Sequence, residues 1–337
     1  GDASTRQLYG DVMLNIDKYF GDFSLTATLG TSIQDVNYQY YDVGGSLNSV
    51  ADGFTMLNLM QSAVKFQQDG YHDQTQSIFA TAQLGWKSKL YLDVTGRVDW
   101  SSALAWTDTK SVAYPSVGVS AILTELLPIK NNVLTFLKVR GSYSEVGNAP
   151  TRYIAYQTYP YESASPVTAT TYPNTDIKPE RTKAWEVGLQ SHLWNDRLEL
   201  NVSLYKTSTY NQLFNPSISA SSGYSSIYIN GGQVDNKGIE ASLTLNQPLG
   251  PVKWNSTFTY TINRNKIKKL LKPTTLSSGE VVKQDMMDLG GLEIVNSRLF
   301  EGGSIGDLYV TALRTDSHGY IDVDYVNNTV AIDNKAG

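Results

Sequence analysis

The sequence predicts an all-β chain: an antiparallel, up-and-down transmembrane β-barrel, present as a fragment of about ten or eleven strands. Three observations predict it. Apolar and polar residues alternate strictly over many short stretches, the mark of strands with two unlike faces. Each stretch is about ten residues long, which a tilted strand needs to cross the hydrocarbon core of a bilayer. The links between stretches alternate short and long, as in a meander whose turns are short at one end and long at the other.

The clearest stretch is Trp185 to Lys206. Trp185, Val187, Leu189, Ser191 and Leu193 occupy every second position, and Leu198, Leu200, Val202 and Leu204 return. Asn195-Asp196 lies between them, and both residue types tolerate the positive φ of a tight hairpin turn. That turn opposes Leu193 with Leu198 and Val187 with Leu204, so turn and register put both apolar sets on one face. Glu186, Gly188, Gln190, His192, Glu199, Asn201 and Ser203 take the other.

Before this hairpin, Leu8 to Ile16 and Phe23 to Leu29 form a first pair of strands across a link at Asp17 to Asp22. A long polar and aromatic loop is expected over Thr31 to Gln76, with a short helix at Phe54 to Phe66. Ala80 to Trp86 and Leu90 to Val98 flank a turn at Lys87-Ser88-Lys89. Strands at Val117 to Leu123 and Leu137 to Tyr143 follow, joined through Pro128 to Asn132. Long loops are expected at Glu145 to Lys183 and Thr207 to Asp235. Ile239 to Leu245 and Trp254 to Ile262 make the last clear hairpin, around Gln247 to Pro251, and Ile305 to Thr311 reads as one more strand. Trp86, Trp100, Trp185, Trp194 and Trp254 stand near strand ends, as the aromatic girdles of a barrel do.

Composition narrows the function. Of 337 residues only 18% are charged, against about 25% in a typical soluble domain. The net charge of −5 argues against nucleic acid as a partner. The absence of cysteine removes disulfides, thiolate metal sites and cysteine nucleophiles. His72, His192 and His318 stand far apart, so no catalytic or metal-ligating spacing forms; no enzyme, cofactor or metal is expected. Asp316 to Asp324 has a faint calcium-loop look but lacks the spacing and closing Glu of an EF-hand. No run nears the ~18 apolar residues of a membrane helix, which leaves a barrel open. Both ends read as cut, so a piece of a longer protein is expected.

The binding candidates are loop tyrosines, whose faces stack on sugar rings and peptide side chains: Tyr38, Tyr40, Tyr41, Tyr153, Tyr156, Tyr159, Tyr161, Tyr224 and Tyr228. The competing reading is that they pack loops against one another or against a lid. Arg97, Asp99, Arg140, Glu186, Gln190, Glu199, Asn201 and Glu240 sit on the polar faces and are expected to line a lumen.

Several segments resemble the SusC/RagA family of TonB-dependent outer-membrane transporters. Tyr114-Pro115-Ser116-Val117 is similar to the family's strand entry. Lys138 to Tyr143, then Val146-Gly147-Asn148, resemble one of its strands with the following loop. Asn174 to Glu180 resembles the approach to Trp185-Glu186-Val187-Gly188-Leu189, Val234 to Glu240 a strand start, and Glu301 to Gly306 a late segment. Order and spacing agree throughout. Pro179 departs, standing where an aromatic is common, and Asp99-Trp100-Ser101-Ser102 follows the pattern only in part.

The resemblance implies a barrel of about 22 strands, within the size range of outer-membrane barrels, with an internal plug. Residues 1–337 would be its middle-to-late part, the plug and final strands lying outside. It also implies the bacterial outer membrane, import of a glycan or oligopeptide, coupling to TonB through an N-terminal part absent here, and a SusD-like surface lipoprotein as lid. Two other readings stay open: a soluble or surface-attached carbohydrate-binding β-sandwich, and a barrel with hydrolytic activity.

Overall fold

The computed structural model describes residues 1–159, 161–162, 165–218, 222–270, 274–275, 281–282, 286–292, 295–310, 312–324, 329–330 and 332–333. Ten long strands form its main sheet. They are β1 (Asp2–Phe20), β2 (Phe23–Gly44), β3 (Lys65–Trp86), β4 (Leu90–Ser101) and β5 (Val112–Ile122). Then come β6 (Leu134–Asn148), β7 (Glu180–Leu193), β8 (Leu198–Phe214), β9 (Ile229–Leu249) and β10 (Val252–Lys269). Each pairs antiparallel with the next in sequence, which is an up-and-down meander.

The hairpin β7–β8 shows why the residues fold this way. Leu193 pairs with Leu198, Leu189 with Val202 and Val187 with Leu204. The turn holds Asn195 at φ 53 and Asp196 at φ 64, the two positive values a type I′ turn requires. Lys87 and Ser88 repeat the device at φ 51 and 56, and Gly21 and Gly250 supply it in the other two tight turns.

These turns lie side by side. The Lys87 N–H donates to the carbonyl of Asp22, Ile122 to Lys89, Trp194 to Val133 and Asn246 to Arg197. The links 21–22, 87–89, 123–133, 194–197 and 250–251 therefore share one rim, and 45–64, 102–111, 149–179 and 215–228 share the other.

The alternation sorts into two faces. On one, apolar side chains lie open: Val12 is 73% exposed, Val187 63% and Phe258 65%. Among the described residues no second sheet covers them, which a sandwich would require. The buried apolar residues gather instead at the long-loop rim, as with Ile227 and Ile229 against Phe214 and Tyr172, and Val234, Ile267 and Leu270 against Leu299. Trp86, Trp194 and Trp254 flank the apolar band at the tight-turn side, and Trp100 and Trp185 at the other.

Several expectations are corrected. The loop expected over Thr31 to Gln76 is mostly strand: β2 and β3 are 22 residues each, and only 45–64 connects them. Tyr38, Tyr40 and Tyr41 therefore stand on β2, not in a loop. Past the apolar band both faces are wet, so alternation lapses while backbone pairing continues. The helix expected over Phe54 to Phe66 is two 3₁₀ turns, Met56–Asn58 and Gln61–Ala63, with no side-chain cap on either. Strands also shorten the other loops, since β6 runs to Asn148, β7 starts at Glu180, β8 ends at Phe214 and β9 starts at Ile229. Leu308–Val310 is strand, while Thr311, at the end of that expected element, lies outside the described residues. In the segment from Asp316, the Asp316 carboxylate accepts the N–H groups of His318 and Tyr320, closing a turn at Gly319.

Candidate functional site

At the long-loop rim, β2 and β3 carry their polar face above the apolar band. Tyr38 pairs with Tyr71 across the two strands, and their rings stack at 5.1 Å. Asp73 follows two residues along β3 and so shares that face. From the loop 149–179, Arg152 lies 3.6 Å above the Tyr71 ring. Its Nε and Nη2 donate to Asp73 Oδ2 at 2.9 and 2.7 Å. The Asp73 carboxylate raises the guanidinium further above its already high ordinary pKa. Tyr38, Tyr71, Arg152 and Asp73 thus form one ladder that pins a loop to the sheet.

The loops are knitted to each other. Trp106 stacks on Tyr156 at 4.6 Å, and Tyr172 meets Tyr224 edge to face at 5.2 Å. Asp108 N–H donates to the Thr175 carbonyl and Ser225 N–H to that of Thr170. A cavity of about 240 Å³ opens among Arg152, Tyr153, Tyr156, Thr170 and Tyr228. Tyr159 and Tyr161 stay exposed, Tyr161 beside the open cleft along Tyr38 and Tyr41. Tyr40 shares the face of Tyr38, whereas Tyr41 falls on the opposite face. Of the tyrosines chosen from sequence, the mouth therefore brings together Tyr38, Tyr153, Tyr156 and Tyr228. Tyr71, Asp73, Trp106 and Arg152 were missed. One signal did exist for Arg152, the arginine set directly before Tyr153 and Tyr156 in a tyrosine-rich loop.

Below the mouth the polar face is laced together. Arg97 donates to Asp99 Oδ1 at 2.6 Å and to Ser77 Oγ at 2.7 Å. Arg140 donates to Ser203 Oγ at 2.5 Å and, at 3.4 Å, to Glu186 and Asn201. Glu199 accepts from Asn246 at 2.9 Å, and Gln190 contacts His192 at 3.3 Å. Register places Arg97, Asp99, Arg140, Glu186, Gln190, Glu199, Asn201 and Glu240 all on this face.

A family model described as "TonB dependent receptor-like, beta-barrel" matches residues 2–330. The chain belongs to the TonB-dependent receptor β-barrel family. The SusC/RagA resemblance of its sequence motifs agrees. The family is one of receptors in the bacterial outer membrane. In outer-membrane barrels the apolar face of the wall meets lipid and the polar face lines the lumen.

TonB-dependent receptors P3 and P26 of Formosa agariphila are each 28% identical to the chain, over 91% and 83% of it. The chain spans 31% and 29% of their lengths, under a third of each. Among solved structures, the RagAB peptide importer in its closed-closed state superposes over 99% of the chain and 37% of its own, with TM-score 0.72 and 18% identity. The Escherichia coli outer-membrane transporter YddB superposes over 79% of the chain and 34% of its own, with TM-score 0.57 and 10% identity. Both likenesses establish the fold.

Proposed function

We propose that this chain forms part of the pore wall and outer vestibule of a TonB-dependent importer. Its cargo is a large nutrient, a glycan or an oligopeptide, captured beneath a SusD-like surface lipoprotein. The observation that carries the reading is the mouth ladder: Arg152, from the long loop, is pinned over Tyr71, which stacks on Tyr38, on the polar face of β2 and β3. A cation, stacked aromatic faces and adjacent polar side chains suit oligomeric, hydrogen-bonding cargo too large for simple diffusion. The family supplies the energy coupling, through a TonB-contacting segment outside this chain. The RagAB structures, which share the fold, are titled as a peptide importer and support oligopeptide as one cargo class.

In this reading Tyr38, Tyr40, Tyr153, Tyr156, Tyr159, Tyr161, Tyr224 and Tyr228 face the cargo or the lid. Tyr41, on the outer parity of β2, packs at the rim. Arg97, Asp99, Arg140, Glu186, Gln190, Glu199, Asn201 and Glu240 line the passage or meet the plug. The test is uptake of labelled oligosaccharides and oligopeptides by cells carrying the full-length protein, with and without functional TonB. Uptake that needs TonB and falls in a Tyr38→Ala, Tyr71→Ala variant supports the reading. Uptake independent of TonB, or unchanged in that variant, overturns it.

A further inference from the structure

The lipid-facing side of β6 to β10 carries a cross-strand row that pore lining does not explain. Tyr143 pairs with Trp185, Trp185 with Lys206, Lys206 with Lys237 and Lys237 with Arg264. Directly paired residues share a face, so all five side chains point outward at one height. The row beneath is Val187, Leu204, Ile239 and Ile262, wholly apolar. Tyr143 and Trp185 rings meet at 4.5 Å, and such aromatics mark the depth at which a bilayer passes from tails to headgroups. The three cations therefore stand at headgroup level on the long-loop side.

Like charges directly opposite one another across strands repel. The next row up contributes two more cations, Lys183 and Lys266, and two anions, Glu145 and Asp235. Of these, Glu145 is held by Arg181 and Lys183 at 3.4 and 3.6 Å. Asp235 reaches Lys206 at 4.0 Å. Lys237, Arg264 and Lys266 are exposed and have no side-chain partner among the described residues. Even in a chain of net charge −5, Lys206, Lys237, Arg264 and Lys266 share the one carboxylate of Asp235 in these two rows.

We propose that Lys206, Lys237, Arg264 and Lys266 bind the phosphate of a phosphorylated glycolipid in the outer leaflet. The guanidinium offers a fork that fits phosphate oxygens, and the ammonium groups act as mobile point charges around it. The acyl chains of the same lipid would run down over Val187, Leu204 and Ile239, so one molecule satisfies both rows. The occupant must carry anionic charge and an apolar tail at once, because the charged and apolar rows are contiguous.

The experiment uses the full-length protein purified in mild detergent. It is incubated with phosphorylated or dephosphorylated lipid A, washed, and read for retained lipid by native mass spectrometry. The expected result is retention of the phosphorylated form at about tenfold over the dephosphorylated form, the preference vanishing in Lys237→Gln, Arg264→Gln, Lys266→Gln protein. A Lys87→Gln, Lys89→Gln variant, altered at the opposite rim, should keep the preference. Equal retention of both lipids by the wild type overturns the proposal without recourse to any variant. So does lipid-free dimer formation that the triple variant abolishes, because the patch then meets a second copy.

Discussion

Arg140 reaches across an entire strand because residue 188 is glycine. Gly188 pairs with Arg140 on one side and Ser203 on the other. A Cβ at position 188 would stand 2.6 Å from the guanidinium carbon. With only hydrogen there, the side chain lies flat over β7 and donates to Ser203 on β8, 63 residues away in sequence. Gly188→Ala should displace the guanidinium and cost about 0.5–1.5 kcal/mol, the worth of its hydrogen bond to Ser203. In an Arg140→Ala background the same change should cost far less. Thermal unfolding of the four proteins in detergent checks the coupling; equal costs in both backgrounds would refute it.

The two faces of β8 should respond oppositely to charge. Leu200 lies mid-band on the apolar face, and Asn201 beside it on the polar face. Leu200→Arg should lower barrel stability by about 2–4 kcal/mol, and Asn201→Ala by under about 1 kcal/mol. Denaturant unfolding from lipid vesicles measures both. A larger penalty at 201 than at 200 would invert the assignment of faces.

Asn195 holds a left-handed conformation that a β-branched residue resists. Asn195→Val should cost about 1–2 kcal/mol and slow hairpin formation. Refolding yield into detergent, followed by the gel shift of the closed barrel, reads the effect. Asn195→Gly should refold as well as the parent.

The two rims should label from opposite sides of the membrane. The chain contains no cysteine, so a single introduced one is the only thiol within it, and the unsubstituted protein serves as the labelling blank. Tyr156→Cys should react with an impermeant maleimide on intact cells. Asn195→Cys should react only once the outer membrane is permeabilised. Labelling of both from outside would break the strand parity.

Arg152 should act as a loop clamp. Arg152→Ala frees Asp73 and Tyr71 together, so loop 149–179 should be cut several-fold faster by protease added to intact cells. Arg152→Lys should restore little, since one ammonium cannot make the two-pronged contact with Asp73. Protection equal to the parent in Arg152→Ala would show that the loop–loop contacts suffice.

By itself the sequence determined the strands within the bilayer, their two faces and the tight turns. Inside lipid every second side chain must be apolar, and a tight hairpin needs residues that accept positive φ, so Val187 to Leu204 states its own register. The polar candidates Arg97, Arg140, Glu199 and Glu240 followed from the same rule. Only the tertiary structure decided how far the strands continue and which groups meet. Above the band water bathes both faces, the apolar period disappears, and Tyr38 to Tyr41 read as loop although they lie on β2. The meeting of Arg152 with Asp73, of Arg140 with Ser203, and of Lys206 with Lys237 and Arg264 depends on loop closure or on pairing between strands. Local periodicity records which side of a strand faces lipid. It carries nothing about which distant residue arrives at the same height.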